Sequence, residues 1–119
     1  MTVTPSFKIF VLEQLGHCVP GIRSRSMFGG VGIYSNQDFF ALIDDDNLYF
    51  KVDESNRPDF EARGMGPFRP YGEGGETMQY YLVPEDLLEA PEGLGHWAEK
   101  AILAAQRAKA RRAPRRGRR

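Results

Sequence analysis

The stretch Arg25–Tyr34, "RSMFGGVGIY", places three glycines within four positions between Phe28 and Tyr34. A phosphate loop would need a lysine and a hydroxyl after the last glycine, then a helix whose first amides face the anion. Here the glycines run into Ile33-Tyr34-Ser35, and a strand pattern follows. The G-x-G-x-x-G spacing is missing too. The stretch therefore reads as a strand in which glycine allows a bulge or a close approach of another chain segment.

Working outward, "FFALI" ends at "DDDN" and "LYFKV" ends at "DESN", while "SNQD" follows the glycine strand. Short polar turns between apolar runs predict hairpins and an antiparallel meander of three strands. Before it, Thr4-Pro5 reads as a helix start, with Phe7, Phe10, Val11 and Leu15 on one face and Gly16 as the stop. "GHCVPGI" reads as a connector. After the meander, "SNRPDFEARG" reads as a short helix, "MGPFRPYGEGGE" as one irregular strand and a loop, and "TMQYYLV" as a strand. "PEDLLEA" reads as a turn or short helix. From Pro91 the periodicity predicts a long helix with Leu94, Trp97, Ala98, Ala101, Ile102, Ala104, Ala105 and Ala108 on one side and Leu103 opposite; Pro114 is its latest end. The expected order is α-β-β-β-α-β-β-α, an α+β domain with an antiparallel sheet and helices on one face.

The chain has 119 residues, enough for one domain with a modest core. No apolar run is long enough for a membrane span, and the first residues lack the pattern of a signal peptide. One cysteine, Cys18, allows no internal disulfide, which points to the cytoplasm. The net charge of zero conceals an asymmetry. Residues 100–119 carry nine Lys/Arg and no acid, whereas residues 1–99 carry the other seven cations and all sixteen acids. A domain at 1–110 and a basic, disordered tail at 111–119 follow. The tail offers Arg111, Arg112, Arg115, Arg116, Arg118 and Arg119 to phosphates, or to the domain's own acids. It has no aromatic residue for stacking on bases, so nucleic-acid contact would be nonspecific.

The motifs together resemble the TfoX N-terminal domain family. The resemblance rests on "MFGGVGIY" at Met27–Tyr34, "FALIDDDNLYFK" at Phe40–Lys51 and "YYLVP" at Tyr80–Pro84, in family order and spacing, and covers Phe7 to Ala108. It implies a sandwich of the order given above, similar to secretion-chaperone-like domains, and a role in regulating competence or transcription. The larger competence regulators of the family carry a second, helical domain; this chain continues into the basic tail. The resemblance transfers no catalytic residue.

Other clusters favour bland readings. Asp44-Asp45-Asp46 lacks the alternation and distal glutamate of a calcium loop and reads as a hairpin turn. His17 and Cys18 are adjacent, and His96 lies on the last helix, so no base stands ready for a thiol nucleophile. Glu73 and Glu76 lie in a glycine-rich loop unsuited to positioned acid–base work. No catalytic, cofactor or metal site is expected, and the chain reads as non-enzymatic.

Period-two alternation assigns Val31, Ile33, Phe39, Ala41, Ile43, Leu48, Phe50, Val52, Met78, Tyr80 and Leu82 to the helix-covered face. Phe28, Tyr34, Phe40, Leu42, Tyr49, Lys51, Gln79 and Tyr81 fall on the other. Its aromatics Phe28, Tyr34, Phe40, Tyr49 and Tyr81 predict a surface for a protein partner or a second copy, unless the loop near Tyr71 covers it. The alternative class is a small-molecule-binding domain or an enzyme, which a buried polar pocket with convergent acids would favour.

Overall fold

The computed structural model describes residues 3–27, 29–70 and 78–112. Helix α1, Pro5–Gly16, leads into a meander of four strands: β1 (Ile22–Met27), β2 (Gly30–Ser35), β3 (Asp38–Asp44) and β4 (Asn47–Lys51). Helix α2 (Arg57–Ala62), strand β5 (Tyr80–Leu82), a 3₁₀ turn (Glu85–Glu89) and helix α3 (Pro91–Arg112) complete the order. All five strands form one antiparallel sheet in sequence order. The fold is α+β, with an approximate match to the expected order.

The differences lie at the edges of the sheet. Where a connector and the start of a strand were expected, Ile22–Met27 forms a strand of its own, separated from β2 by a turn at Gly29, whose φ of 81° suits glycine. The irregular strand is present as residues 66–68, which extend the sheet beyond β5: Phe68 N–H donates to Tyr80 O at 2.7 Å and Leu82 N–H to Gly66 O at 3.0 Å. The other hairpins turn on polar residues with positive φ, Asn36 in one and Asp45 with Asp46 in the other. Asp46 also anchors α1, accepting bonds from the Thr4 N–H at 2.8 Å and the Thr4 hydroxyl at 2.9 Å. The Thr4 hydroxyl in turn accepts the Phe7 N–H, capping the helix.

The core lies between one face of the sheet and the helices. Val31, Ile33, Ala41, Ile43, Leu48, Phe50 and Val52 are buried there, as the alternation predicts. They meet Val11 and Leu15 of α1 and Leu94, Ala98, Ala101 and Ala105 of α3. The small side chains of α3 let the helix lie close on β3 and β4, and Leu103 is turned to solvent as expected. Gly95 serves the same close packing, since a Cβ there would fall 2.9 Å from Cys18 Cβ. Phe60 fixes α2 on this side, with its ring 4.7 Å from Trp97 and 5.9 Å from Tyr81.

Side-chain assignments are inverted at two places in the sheet. The β2–β3 register shifts at Ile33/Tyr34: Ile33 opposes Ala41, but Tyr34 opposes Phe39. Phe40 is the extra residue of a bulge, so it turns inward, fully buried with its ring 5.7 Å from Phe50. Phe39 takes the outer face instead. In β5, Tyr81 opposes the core residue Phe50, so Tyr81 faces α2 and Tyr80 and Leu82 face outward. Phe40 and Tyr81 are therefore not members of the outer face, and Phe28 lies outside the described residues.

Candidate functional site

The outer face is built by strands whose other face makes the core. The pairs Arg25–Gly32, Gly32–Leu42, Leu42–Tyr49 and Tyr49–Leu82 run across it as one row. A second row, nearer the strand ends, holds one side chain from each strand: Arg23, Tyr34, Phe39, Lys51 and Tyr80. Its members touch in sequence. The Arg23 guanidinium carbon lies 5.4 Å from the Tyr34 ring centre, and Tyr34 stacks on Phe39 at 5.1 Å. Phe39 meets Tyr80 at 5.7 Å, and the Lys51 ammonium lies 5.1 Å from the Tyr80 ring centre. Each cation over a ring adds electrostatic attraction to the packing. Tyr80 is buried at its end of the row, whereas Tyr34, Phe39, Leu42 and Tyr49 are half-buried. Phe68 packs on Tyr49 with centroids 4.8 Å apart, and burial together with Asp44 and Asp45 pushes the Tyr49 phenol up.

The charge of this face runs against that of the domain. Residues 1–99 hold sixteen acids and seven cations, yet three of those cations, Arg23, Arg25 and Lys51, project here. The aromatic residues and arginines of this face are the residue types enriched where proteins meet, whereas lysine belongs to the rim of such a surface.

Sequence reasoning reached Tyr34, Tyr49, Leu42 and Lys51. It missed Arg23, Arg25, Phe39 and Tyr80. The alternation of Arg23, Arg25 and Met27 carried the signal for the first two, since period two puts all three on one face.

Beside this face, α3 projects past the ends of β3 and β4. A groove of about 780 Å³ lies there, bordered by Lys51, Asp53, Ser55, Arg57, Gln79, Arg107 and Arg111. Several of its side chains bond one another. Asp53 accepts Arg107 Nε at 2.8 Å and the Ser55 hydroxyl at 2.7 Å, and Arg57 donates to Gln79 at 2.6 Å. The Arg107 bond holds the Asp53 carboxyl well below the usual carboxylate range. Along α3, Lys100 pairs with Asp59 at 2.6 Å and Lys109 with Asp38 at 3.6 Å. The helical part of the basic segment is thus docked on the domain's own acids. Of the tail residues, Arg111 is exposed on α3 and Arg112 ends that helix; Arg115, Arg116, Arg118 and Arg119 lie outside the described residues.

Cys18 donates its S–H to Gln14 O at 3.4 Å, and burial pushes its thiol up, away from the thiolate a nucleophile needs. His17 beside it is exposed. Asp44–Asp46 serve the hairpin and the α1 anchor, while Glu73 and Glu76 lie outside the described residues. No helix among the described residues is long and apolar enough to cross a membrane.

A two-layer α+β domain with an aromatic outer sheet face is the class that this geometry defines; the loop near Tyr71, the cover that the sequence offered for this face, lies outside the described residues. The chain belongs to the TfoX N-terminal domain family, whose model matches residues 13–105. Among curated proteins, none matches the chain.

Proposed function

We propose that this chain is a non-enzymatic binding module that contacts a protein partner through the outer face of its sheet, in the service of transcription or competence regulation. The row Arg23–Tyr34–Phe39–Lys51–Tyr80 carries the reading. It places three aromatic side chains and two cations on the face opposite the helices, and of the three aromatics only Tyr80 is buried. Membership of a family named for competence regulators supports the regulatory part. The basic end of α3 and the tail add nonspecific affinity for nucleic acid, as an auxiliary contact in the cytoplasm. Arg111 supports that contact: it is exposed, while Lys100, Arg107 and Lys109 are held by acids.

Affinity capture on the full chain tests the reading, with and without nuclease. Tyr34→Ser and Leu42→Glu change half-buried outer residues and leave the core intact. A protein retained by the wild type after nuclease, and lost by both folded variants, is the expected result. Equal retention by the variants, or loss of every retained protein on nuclease treatment, refutes it.

A further inference from the structure

We infer that the free edge of β1 is a docking strand for an extended, acidic segment of a partner protein, which adds to the sheet beside Ile22–Met27 and sets carboxylates against Arg23 and Arg25. The inference rests on the protein-contact reading above and gives that partner a chemistry.

β1 contributes little to the core. Arg23, Ser24, Arg25 and Ser26 are all exposed, and only Ile22 and Met27 at its ends are partly covered. Its pairing with β2 satisfies one edge, and on the other edge it has no strand neighbour among the described residues. Alternate residues of an antiparallel strand turn N–H and C=O away from the partner, so about half of its backbone groups face that open edge. The opposite edge of the sheet is treated differently. Beyond β5, residues 66–68 take up the Tyr80 and Leu82 backbone groups. Among the described residues the sheet thus ends in a short, proline-containing segment on one side and in the six-residue strand β1 on the other.

The side chains at that edge have a sign and a spacing. Arg23 and Arg25 share the outer face, and residues two apart on a strand are separated by about 6.8 Å. Arg23 is held in place, donating from Nε to Asn36 O at 3.1 Å while it lies over Tyr34. An added strand with carboxylates at alternate positions matches both guanidinium groups, and its backbone takes up the open edge.

Other occupants fit poorly. A second copy pairing β1 with β1 would set arginine against arginine, which destabilises a cross-strand pair. The basic residues from Arg111 onward carry the same sign. The chain's own acidic segment, residues 71–77 with Glu73 and Glu76, joins residues 70 and 78 at the β5 side. The β1 edge is four strand spacings from β5, about 19 Å. A segment of that length reaching out and back extends about 13 Å. The strand that fills the edge therefore comes from another molecule.

The test uses the full chain and two labelled peptides of about eight residues, the length an edge strand can pair. One alternates valine or threonine with glutamate; the other has lysine at each glutamate position. Fluorescence anisotropy at low salt, up to about 1 mM protein, gives the affinities. The glutamate peptide is expected to bind at least about fivefold more tightly than the lysine peptide. In the Arg23→Glu/Arg25→Glu variant that order reverses, and amide exchange at Ile22–Met27 slows when peptide binds. Absence of binding, equal affinities, an order unchanged in the charge-reversed variant while its melting temperature is retained, or protection away from β1 each overturns the inference. Protection at Tyr34, Phe39 and Leu42 instead of β1 removes the edge site while the sheet-face reading stands. Partner capture that survives Tyr34→Ser and Leu42→Glu removes the sheet-face reading while the peptide result stands.

Discussion

Gly30→Ala isolates the reason for the glycines of "FGGVG". A Cβ built at Gly30 falls 2.5 Å from the Ile43 carbonyl oxygen, against at least 3.4 Å for ordinary contact. The shortfall, near 0.9 Å, meets backbone of β3 rather than the end of a flexible side chain. Ile43 O belongs to the central ladder, where Val31 opposes Ile43, and Ile43 is fully buried. The strands must separate locally, stretching a ladder bond and loosening Ile43 in the core. Overpacking of this kind costs about 1–3 kcal/mol. The loss of unfolded-chain entropy on going from glycine to alanine returns about 0.4–1 kcal/mol. The net expectation is a loss of about 1–2 kcal/mol, which lowers Tm by several degrees in a domain of this size, on the order of 4 °C per kcal/mol. Gly16→Ala is the control: nothing lies within 4 Å of a Cβ there, and the site is helical, so this change should stabilise the fold slightly. Urea unfolding of both variants supplies the free energies. A Gly30→Ala protein as stable as wild type, or stabilised like Gly16→Ala, refutes the close-approach account.

At Gly32 the obstacle is the end of Met27, Cε at 2.6 Å, with Phe39 Cε1 at 3.0 Å. Gly32→Ala should therefore cost less than Gly30→Ala, about 1 kcal/mol, and a double-mutant cycle with Met27→Ala should show coupling of at least about 0.5 kcal/mol. Arg107→Ala removes the main cause of the lowered Asp53 pKa and should lower stability at neutral pH. A depressed carboxylate stabilises the fold above its unfolded pKa. The gap between wild type and variant should thus be full at pH 7 and close as pH falls below about 4, followed by thermal melts across pH. Truncation after Ala110 should leave Tm unchanged, because Ala108 is the last buried residue described on α3. The truncated form should lose duplex-DNA binding that, in the full chain, weakens by about 0.9 decade per neutralised phosphate for each decade of salt. Equal DNA binding by both forms would discard the tail contact.

Much of the fold was legible because its signals are local. Polar turns after Tyr34 and Ile43 marked two hairpins, Thr4-Pro5 marked α1, and the alanine spacing from Leu94 to Ala108 gave the buried side of α3. What escaped depends on partners distant in sequence. Phe39 and Phe40 are chemically equivalent, and the bulge that turns Phe40 inward is set by the pairing of β3 with β2. In β5 both parities are apolar. The buried Val83, whose N–H donates to Leu48 O, places Tyr81 on the inner side, a constraint made by β4. β1 was missed because its polar "RSRS" buries nothing and so shows no hydrophobic alternation. Consequently the outer face was anticipated in kind, but two of its five named aromatics belong to the core side.

The central claim is that the outer sheet face meets the partner, and hydroxyl-radical footprinting of the captured complex tests it most directly. Ile9 and Leu103 are the large exposed apolar side chains on the helices and offer the rival surface. The account predicts reduced oxidation of Tyr34, Phe39, Leu42 and Tyr49 on binding, with Ile9 and Leu103 unchanged. Protection of Ile9 or Leu103, with the four outer-face residues oxidised as in the free chain, would contradict it.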